Sequence, residues 1–138
     1  MYDVTPITSK TYVDCGPACL AMLLNYYGEP WDQDQLIKEC GCELSGCTAA
    51  DLMRVGRAHG LDMKSYKTDL EGLLKSDRPA ICWWKYTHFI VFCGLDDQGQ
   101  VVICNPDRGR YPISQGTFAA LYSGIALTNG EMEDLPEE

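Results

Sequence analysis

The sequence predicts a single α+β domain, and two observations support this fold class. The first half of the 138-residue chain carries apolar runs with helix-capping signals, whereas the second half changes to β-branched and aromatic runs divided by turn residues. This order favours N-terminal helices packed on an antiparallel sheet. The hydrophobic fraction of 46% and the charged fraction of 22% are ordinary for a globular domain and exclude gross disorder. We place the domain at residues 1–128 and interpret residues 129–138 as an acidic, disordered tail.

The first predicted element is a buried helix over residues 15–27. Its residues from position 18 to position 24 are all apolar, and a helix that is apolar on every side is expected inside the core. Asp14 is the candidate N-terminal cap, Pro17 suits the first turn, and Gly28 ends the helix. This prediction places Cys15 at the N-terminus of an interior helix.

Capping patterns predict four further helices, and strand-like runs predict the sheet. The helices follow Asp32, Thr48, the Thr68-Asp-Leu-Glu71 pattern and Ser114. The strands are expected within residues 61–67, 80–85, 88–95, 100–104, 111–113 and 124–128. Residues 96–99 have hairpin-turn chemistry, so the strands on either side of them are expected to pair.

The charge balance restricts the function classes. There are 20 acidic against 11 basic residues, which gives a net charge of −9, and five of the acids lie in the tail. An acidic chain of this kind is a poor binder of nucleic acid and of anionic membranes. The chain shows no signal peptide and no apolar run long enough to span a bilayer. We therefore expect a cytoplasmic monomer without a membrane segment of its own.

Most of the eight cysteines are interpreted as reduced structural thiols. Cys40, Cys42 and Cys47 lie in a Gly-rich turn but lack the C-x2-C spacing and the four ligands of a zinc site, so buried or surface thiols are expected there. The cysteines at positions 19, 82, 93 and 104 lie in apolar runs and are expected in the core. Neither a metal nor an organic cofactor is expected, because no motif for either is visible.

Cys15, His88 and Asn105 form a candidate catalytic set. A helix N-terminus stabilises an anion, which suits a nucleophilic thiolate at Cys15. His88 opens one strand of the predicted hairpin and Asn105 closes the other, so the two side chains should be neighbours at one end of the sheet. An asparagine carbonyl can fix the tautomer of an imidazole, and Cys, His and Asn in this chain order are the set used by cysteine proteases.

Each member of the set has an ordinary structural explanation when it is taken alone. Cys15 could be a buried thiol, His88 an edge histidine and Asn105 an Asn-Pro turn residue. Their combination at a helix start and two adjoining strand ends favours the catalytic interpretation. His59 serves as a contrast, since it lies at a predicted helix C-terminus where a histidine complements the dipole, and it is given no catalytic role.

Four segments together resemble the peptidase C39 family, the bacteriocin-processing, double-glycine leader peptidases. D-C-G-P-A-C-L-A-M at residues 14–22 resembles the cysteine motif, and H-F-I-V at residues 88–91 resembles the histidine motif. Residues 78–81 resemble the Pro-Ala-Ile strand, and residues 105–106 lie where the family usually has Asp-Pro. The resemblance spans about residues 10–127 and implies a papain-like fold.

The resemblance implies that Cys15 is the nucleophile, His88 the general base and Asn105 the third member. The family places a Gln six residues before the nucleophile, where it completes the oxyanion hole with the backbone N–H of the cysteine. Ser9 occupies that position here, and Lys10 could substitute only if it pointed inward. The loss of one oxyanion donor typically costs about 10²–10³ in rate.

The implied function is cleavage of a leader peptide after a Gly-Gly site through a thioester acyl-enzyme. A narrow cleft walled by Trp83, Trp84 and Tyr86 would exclude larger side chains. The family domain usually belongs to an ABC transporter, so an exporter is the expected partner, and the chain is either a stand-alone enzyme or a piece of a larger protein. Two alternatives stay open: a weak or inactive module that binds the leader, and a papain-like acyltransferase or amidase.

Overall fold

A computed structural model of the chain describes residues 1–11, 13–42 and 46–130. All five predicted helices are present in this part of the chain. They are α1 (Cys15–Tyr26), α2 (Gln33–Cys40), α3 (Ala49–Ala58), α4 (Leu70–Ser76) and α5 (Gln115–Leu121). The strands are β1 (Met63–Lys67), β2 (Ala80–Trp84), β3 (His88–Leu95), β4 (Val101–Asn105), β5 (Gly109–Ile113) and β6 (Tyr122–Asn129).

The predicted caps of α2, α3 and α5 are confirmed, the last of them at Ser114, and the cap of α4 is corrected. Asp32 caps α2, and Thr48 forms a reciprocal capping box at the start of α3. At α4 the cap is Asp69, whose carboxylate accepts the Gly72 N–H at 3.0 Å. Thr68 was the predicted cap, but its N–H donates to the Gly124 carbonyl near the start of β6, which ties Thr68 to the sheet.

The strands form one antiparallel sheet in the order β1-β6-β2-β3-β4-β5. The last strand of the chain therefore lies inside the sheet, between β1 and β2. The predicted hairpin of β3 and β4 is present, and the Asp96 N–H closes its turn by donating to the Gln100 carbonyl at 2.9 Å. The hairpin's open end, where β3 begins and β4 ends, is the part of the fold that matters for the site.

Helices cover both faces of the sheet, whereas the sequence predicted only an N-terminal helical layer. Helices α1, α2 and α3 share a buried cluster with one face, and α4 and α5 share another with the opposite face through Leu73 and Phe118. The apolar run of β3 is consistent with helices on both faces, because a strand covered on both sides has no polar, solvent-facing positions. Residues 89–94 of β3 are all buried. Helix α1 is buried continuously over its first ten residues, as its sequence predicts.

The N-terminal segment, residues 1–11, crosses the sheet and ends beside the open end of the hairpin. The Tyr2 N–H donates to the Cys93 carbonyl at 2.8 Å, and the Val4 carbonyl accepts from Arg110 at 2.8 Å. At the far end of the segment, the Ser9 N–H donates to the Pro106 carbonyl at 3.0 Å. These bonds hold the residues before Cys15 against the turn that follows β4.

The cysteines follow the prediction with one exception. Cys42 and Cys47 form a disulfide, so the expectation of reduced thiols is wrong for these two residues. Their Cα atoms lie 4.9 Å apart, within the range that a disulfide requires, because the chain turns back after α2 at Gly41. The six other cysteines are buried and unbridged, at positions 15, 19, 40, 82, 93 and 104.

The predicted boundary between domain and tail falls inside β6. Asn129 is the last residue of that strand, and the Gly130 N–H donates to the Asp62 carbonyl at 2.8 Å. Both residues had been assigned to the tail, whose remaining residues, 131–138, lie outside the described part of the chain. Within the described ranges, no helix has both the length and the hydropathy that a membrane span requires.

Candidate active site

Cys15 is the first residue of α1 and is 8% exposed. The Ala18 N–H makes the first hydrogen bond of the helix, to the Asp14 carbonyl. The N–H groups before Ala18 have no partner within the helix and point out of its N-terminus together with the helix dipole. The Cys15 sulfur therefore lies where a negative charge is stabilised, as the sequence predicted.

Asp14 occupies the predicted cap position, but its carboxylate does not cap the helix. It turns back and accepts three hydrogen bonds, from the Lys10 N–H at 2.9 Å and from the Thr11 N–H and hydroxyl at 2.7 and 2.8 Å. Asp14 is only 1% exposed. Burial alone would raise its pKa, but these hydrogen bonds outweigh burial and hold the pKa below its ordinary value. The carboxylate thus fixes the turn that joins the N-terminal segment to Cys15.

Replacing Asp14 with Asn is expected to destabilise the fold by about 1–3 kcal/mol at neutral pH, because an amide cannot accept all three bonds as a carboxylate does. The lowered pKa means that this stabilisation is present above the unfolded pKa and is lost as pH falls through the folded one. The difference between wild type and Asp14→Asn should therefore shrink below about pH 4. Urea unfolding at pH 7 and pH 3, with exposed Asp97→Asn as the control, tests this; a difference that does not change with pH would contradict it.

His88 and Asn105 meet at the open end of the hairpin, as predicted. The His88 Nε2 atom lies 3.0 Å from Asn105 Oδ1, and the same oxygen accepts the Asp107 N–H at 3.0 Å. Because a backbone N–H can only donate, the amide cannot be turned round, and the Nε2 atom of a neutral imidazole must carry the proton. The lone pair is then on Nδ1, the ring nitrogen that is left for the thiol.

Cys15 reaches this imidazole across the end of the sheet. His88 and Asn105 lie on the sheet face that α4 and α5 cover, together with Ile90 and Ile103, whereas α1 packs on the opposite face. Burial alone would lower the pKa of His88, but hydrogen bonds with the Cys15 thiol and with Asn105 raise it, and the charges of Cys15 and Asp107 act in the same direction. The net effect is a pKa above the ordinary value of a histidine.

The tight turn between β2 and β3 orients the start of the histidine strand. Lys85 and Tyr86 both have positive φ angles, 54° and 60°, which are uncommon for residues other than glycine. The turn is held by the Lys85 N–H on the Leu121 carbonyl and by the Tyr86 N–H on the Ser123 hydroxyl, both at 2.9 Å. The side chain of Tyr86 is 74% exposed.

The three predicted cleft aromatics take different positions. Trp84 is 4% exposed and packs on Phe118, with ring centroids 5.4 Å apart. It also borders the histidine cavity, a space of about 530 Å³ lined by residues that include His88 and Asn105. Trp83 faces the other way and borders a second space of about 640 Å³, the apolar cavity. Tyr86 is exposed at the turn described above.

Sequence reasoning missed most residues of the apolar cavity. Besides Trp83, its wall includes Met53 from α3, Phe89 from β3 and Ile125 from β6. Phe89 directly follows His88 and packs against Trp83 with the two rings tilted and their centroids 4.8 Å apart. These residues come from distant parts of the chain and resemble ordinary core positions in the sequence, so only the alternation of β3 hinted that Phe89 faces away from His88.

Ser9 and Lys10 differ in whether they face the site. The Ser9 hydroxyl donates to the Asp107 carboxylate at 3.4 Å, next to His88. Lys10 points away, and its ammonium forms an ion pair with Asp34 of α2. Lys10 therefore does not point inward, as it would have to in order to substitute for an oxyanion donor.

Three of the other thiols and the other histidine lie in surroundings that favour a structural role. Burial raises the pKa of Cys40 to about 12, and it raises the pKa of Cys19 and Cys82 as well. His59 is the C-terminal cap residue of α3, as expected, and its Nε2 atom lies 2.9 Å from the Glu39 carboxylate. Cys15 differs from these thiols because it contacts an imidazole.

A cysteine at the start of a buried helix, facing a histidine on an antiparallel sheet, defines a papain-like domain of the cysteine peptidase class. A model of the peptidase C39 family matches residues 4–133. The chain therefore belongs to the peptidase C39 family.

Three known proteins illustrate the similarity. The crystal structure of a double glycine motif protease from an AMS/PCAT transporter, in complex with the leader peptide, has a TM-score of 0.87 and 31% identity, covering 91% of this chain and 90% of that one. The colicin V secretion/processing ATP-binding protein of Escherichia coli is 27% identical over 88% of this chain and 18% of its own length. An uncharacterized protein of Methanothermobacter thermautotrophicus is 26% identical over 91% of this chain and 87% of its own length.

The relatives thus differ in size. The chain spans less than a fifth of the length of the Escherichia coli secretion protein, but most of the length of the archaeal protein. The crystal structure that it resembles is itself of a protease from a transporter.

Proposed function

We propose that this protein is a cysteine peptidase that cleaves leader peptides after a Gly-Gly site. The observation that carries the proposal is the meeting of His88 with Asn105, 3.0 Å apart, at the end of the sheet where the nearby Cys15 thiol raises the His88 pKa. The family and the double glycine motif protease with a similar fold support the substrate class.

The chemistry follows from the orientation of the imidazole. Nδ1 of His88 takes the thiol proton of Cys15, and the thiolate sulfur attacks the carbonyl carbon of the second glycine. The imidazolium returns the proton to the leaving amine as the C–N bond breaks, which leaves a thioester. A water molecule, deprotonated by the same imidazole, then attacks the thioester and releases the leader with a free carboxylate. Asn105 keeps the ring in the required tautomer throughout.

The oxyanion hole is the weakest part of this site. The Cys15 backbone N–H is available at the start of α1, before the first hydrogen bond of the helix. The Ser9 hydroxyl is near the site, but it donates to Asp107 rather than toward the thiol. We therefore expect acylation to rely on the backbone donor and to be about 10²–10³-fold slower than with a second strong donor.

The apolar cavity is the proposed binding site for apolar side chains of the leader. Its wall includes Met53, Trp83, Phe89 and Ile125, and Phe89 belongs to the same buried cluster as Cys15, which supports this assignment. Tyr86, exposed in the turn two residues before His88, is the proposed aromatic wall near the glycines. Glycine suits such a site, because a narrow passage excludes residues with a Cβ atom.

We propose an ABC exporter as the partner, with the reaction on the cytoplasmic side of the membrane. The support is the similarity to a secretion/processing ATP-binding protein and to a protease from a transporter. In this arrangement the peptidase removes the leader before or during export of the remaining peptide.

Incubation of the protein with a synthetic double-glycine leader peptide tests the proposal. The wild type is expected to release the leader with a C-terminal Gly-Gly carboxylate, detected by mass spectrometry. Cys15→Ala should be inactive, and a peptide with Ala-Ala in place of Gly-Gly should remain uncut. The peptidase assignment fails if wild type and Cys15→Ala leave the peptide equally intact while both proteins are folded.

One observation favours a second candidate, a module that binds the leader without cutting it. The position that usually supplies an oxyanion donor holds Ser9, and its hydroxyl is occupied by Asp107. Titration of Cys15→Ala and wild type with the same peptide separates the two candidates. Equal binding to both proteins with no cleavage by wild type would support the module. An acyltransferase would instead consume the thioester with an added amine.

A further inference from the structure

The third position of the candidate set holds a neutral amide, so a charge that offsets the imidazolium has to come from another residue. Oδ1 of Asn105 accepts from His88 and from the Asp107 N–H, and Nδ2 donates to the Tyr111 hydroxyl at 3.1 Å. Every polar atom of the amide has a partner, and none of them is charged. Asn105 can therefore orient the ring but cannot balance the positive charge that the ring acquires.

Asp107 places a carboxylate against the same imidazole. Its Oδ2 atom lies 3.6 Å from His88 Nε2, and its Oδ1 atom accepts the Ser9 hydroxyl at 3.4 Å. The turn between β4 and β5 explains this position. Asp107 lies in that turn, two residues after Asn105, and the turn leaves β4 at the open end of the hairpin, where His88 begins β3.

The carboxylate is held in place although its side chain is 56% exposed. The Asp107 N–H is bonded to the Asn105 side chain, and the preceding carbonyl, that of Pro106, accepts the Ser9 N–H at 3.0 Å. Both oxygens of the carboxylate face defined partners, one on the imidazole and one on the N-terminal segment. A freely rotating surface acid would not have this set of contacts.

The other charged groups around His88 do not replace this carboxylate. From α1, His88 faces the Cys15 thiol, and the histidine cavity is also lined by two cations, Lys85 from the turn before β3 and Arg108 from the turn after β4. The Arg108 guanidinium lies over the Tyr111 ring, 4.7 Å from its centroid. Among the described residues that line this cavity, Asp107 is the only acid.

We propose that Asp107 is a positioning residue that stabilises the His88 imidazolium by charge, in the role that a triad carboxylate would fill if residue 105 were an aspartate. This inference rests on the proposed function for its catalytic meaning. The step that it assists is the transfer of one proton from the Cys15 sulfur to His88 Nδ1, which produces a thiolate and an imidazolium with no change in total charge. Asp107 exchanges no proton and forms no bond in this step.

Asp107→Asn in the full chain tests the inference with two readouts that do not need a substrate. The first is the NMR titration of the His88 ring, with His59 in the same spectrum as an internal reference. The second is the rate at which iodoacetamide alkylates Cys15 as a function of pH, with Cys15→Ala as the blank. In Asp107→Asn the His88 midpoint should move to lower pH, the His59 midpoint should stay, and alkylation near pH 6 should fall about three- to tenfold.

The controls separate charge from structure. Asp97→Asn removes the same charge at the opposite end of the same hairpin and should change neither readout. Asp107→Glu keeps the charge and should stay close to wild type, which covers the case in which Asp107→Asn folds poorly. The double variant Asn105→Asp with Asp107→Asn returns a carboxylate to the site and should move the His88 midpoint back to higher pH.

The result that would overturn the inference is a His88 midpoint that is the same in wild type, Asp107→Asn and Asp97→Asn. Equal shifts in both single variants would also overturn it, since they would reflect net charge alone. A failure of the proposed function can be distinguished from a failure of this inference. If no leader peptide is cut but the His88 midpoint moves as expected, the charge role stands and the peptidase assignment falls.

Discussion

Replacing His88 with Gln is expected to reduce cleavage of a double-glycine leader peptide by about 10²–10⁴-fold. Glutamine can still donate a hydrogen bond to Asn105, but it cannot accept the thiol proton and return it to the leaving amine. Alkylation of Cys15 below pH 7 should fall in parallel, because an uncharged neighbour no longer stabilises the thiolate. Initial cleavage rates and pH profiles of alkylation measure the two effects.

His59→Gln is the matched control, because it makes the same substitution at the other histidine of the chain. His59 caps α3 and pairs with Glu39, away from Cys15. We expect this variant to cut and alkylate like wild type. If His88→Gln retained cleavage within a factor of two of His59→Gln, a different base would have to act on Cys15.

Replacing Leu20 with Ala is expected to lower the free energy of unfolding by about 2–5 kcal/mol. Leu20 is fully buried in α1, and the backbone of α3 approaches it closely at Gly56, where an added Cβ would lie 3.2 Å from Leu20 Cδ1. A cavity at this position cannot close easily, because both helices are packed against the sheet. Urea unfolding gives the size of the effect.

Leu74→Ala makes the same change at a leucine of α4 that is 37% exposed. Its removal leaves a smaller void and a smaller loss of buried area, so a cost of about 1 kcal/mol or less is expected. Equal costs for Leu20→Ala and Leu74→Ala would contradict the view that α1 is the centre of the core.

The candidate site could be predicted from the sequence to the extent that it depends on the ends of elements. Cys15 begins a helix that is apolar on every side, and His88 begins the first strand of a hairpin whose second strand Asn105 ends, so local patterns were enough to bring these two together at its open end. Asp107 was missed because its contact with His88 depends on the conformation of the turn after β4, where the Asp107 N–H is bonded to the Asn105 side chain. The residue types of that turn do not reveal which way its side chains point.

Other departures have the same kind of cause. Asp14 was predicted to cap α1, but its carboxylate bonds the turn before the helix. The choice depends on where the N-terminal segment runs, and that segment is held by Pro106, far along the chain. The Cys42–Cys47 disulfide was missed because the expectation of reduced thiols was drawn from the cellular compartment of the whole chain. Such an expectation does not detect two thiols that a turn brings together.

Periodicity and capping in the sequence were sufficient for the helices, the strands, the buried character of α1 and the positions of Cys15, His88 and Asn105, because these features arise from interactions among residues a few positions apart. The insertion of β6 between β1 and β2, the helices on the second face and the contact of Ser9 with Asp107, 98 residues apart, depended on the packing of the complete chain. Such contacts form only after distant segments bury their apolar faces against one another, and no short stretch of sequence encodes that arrangement.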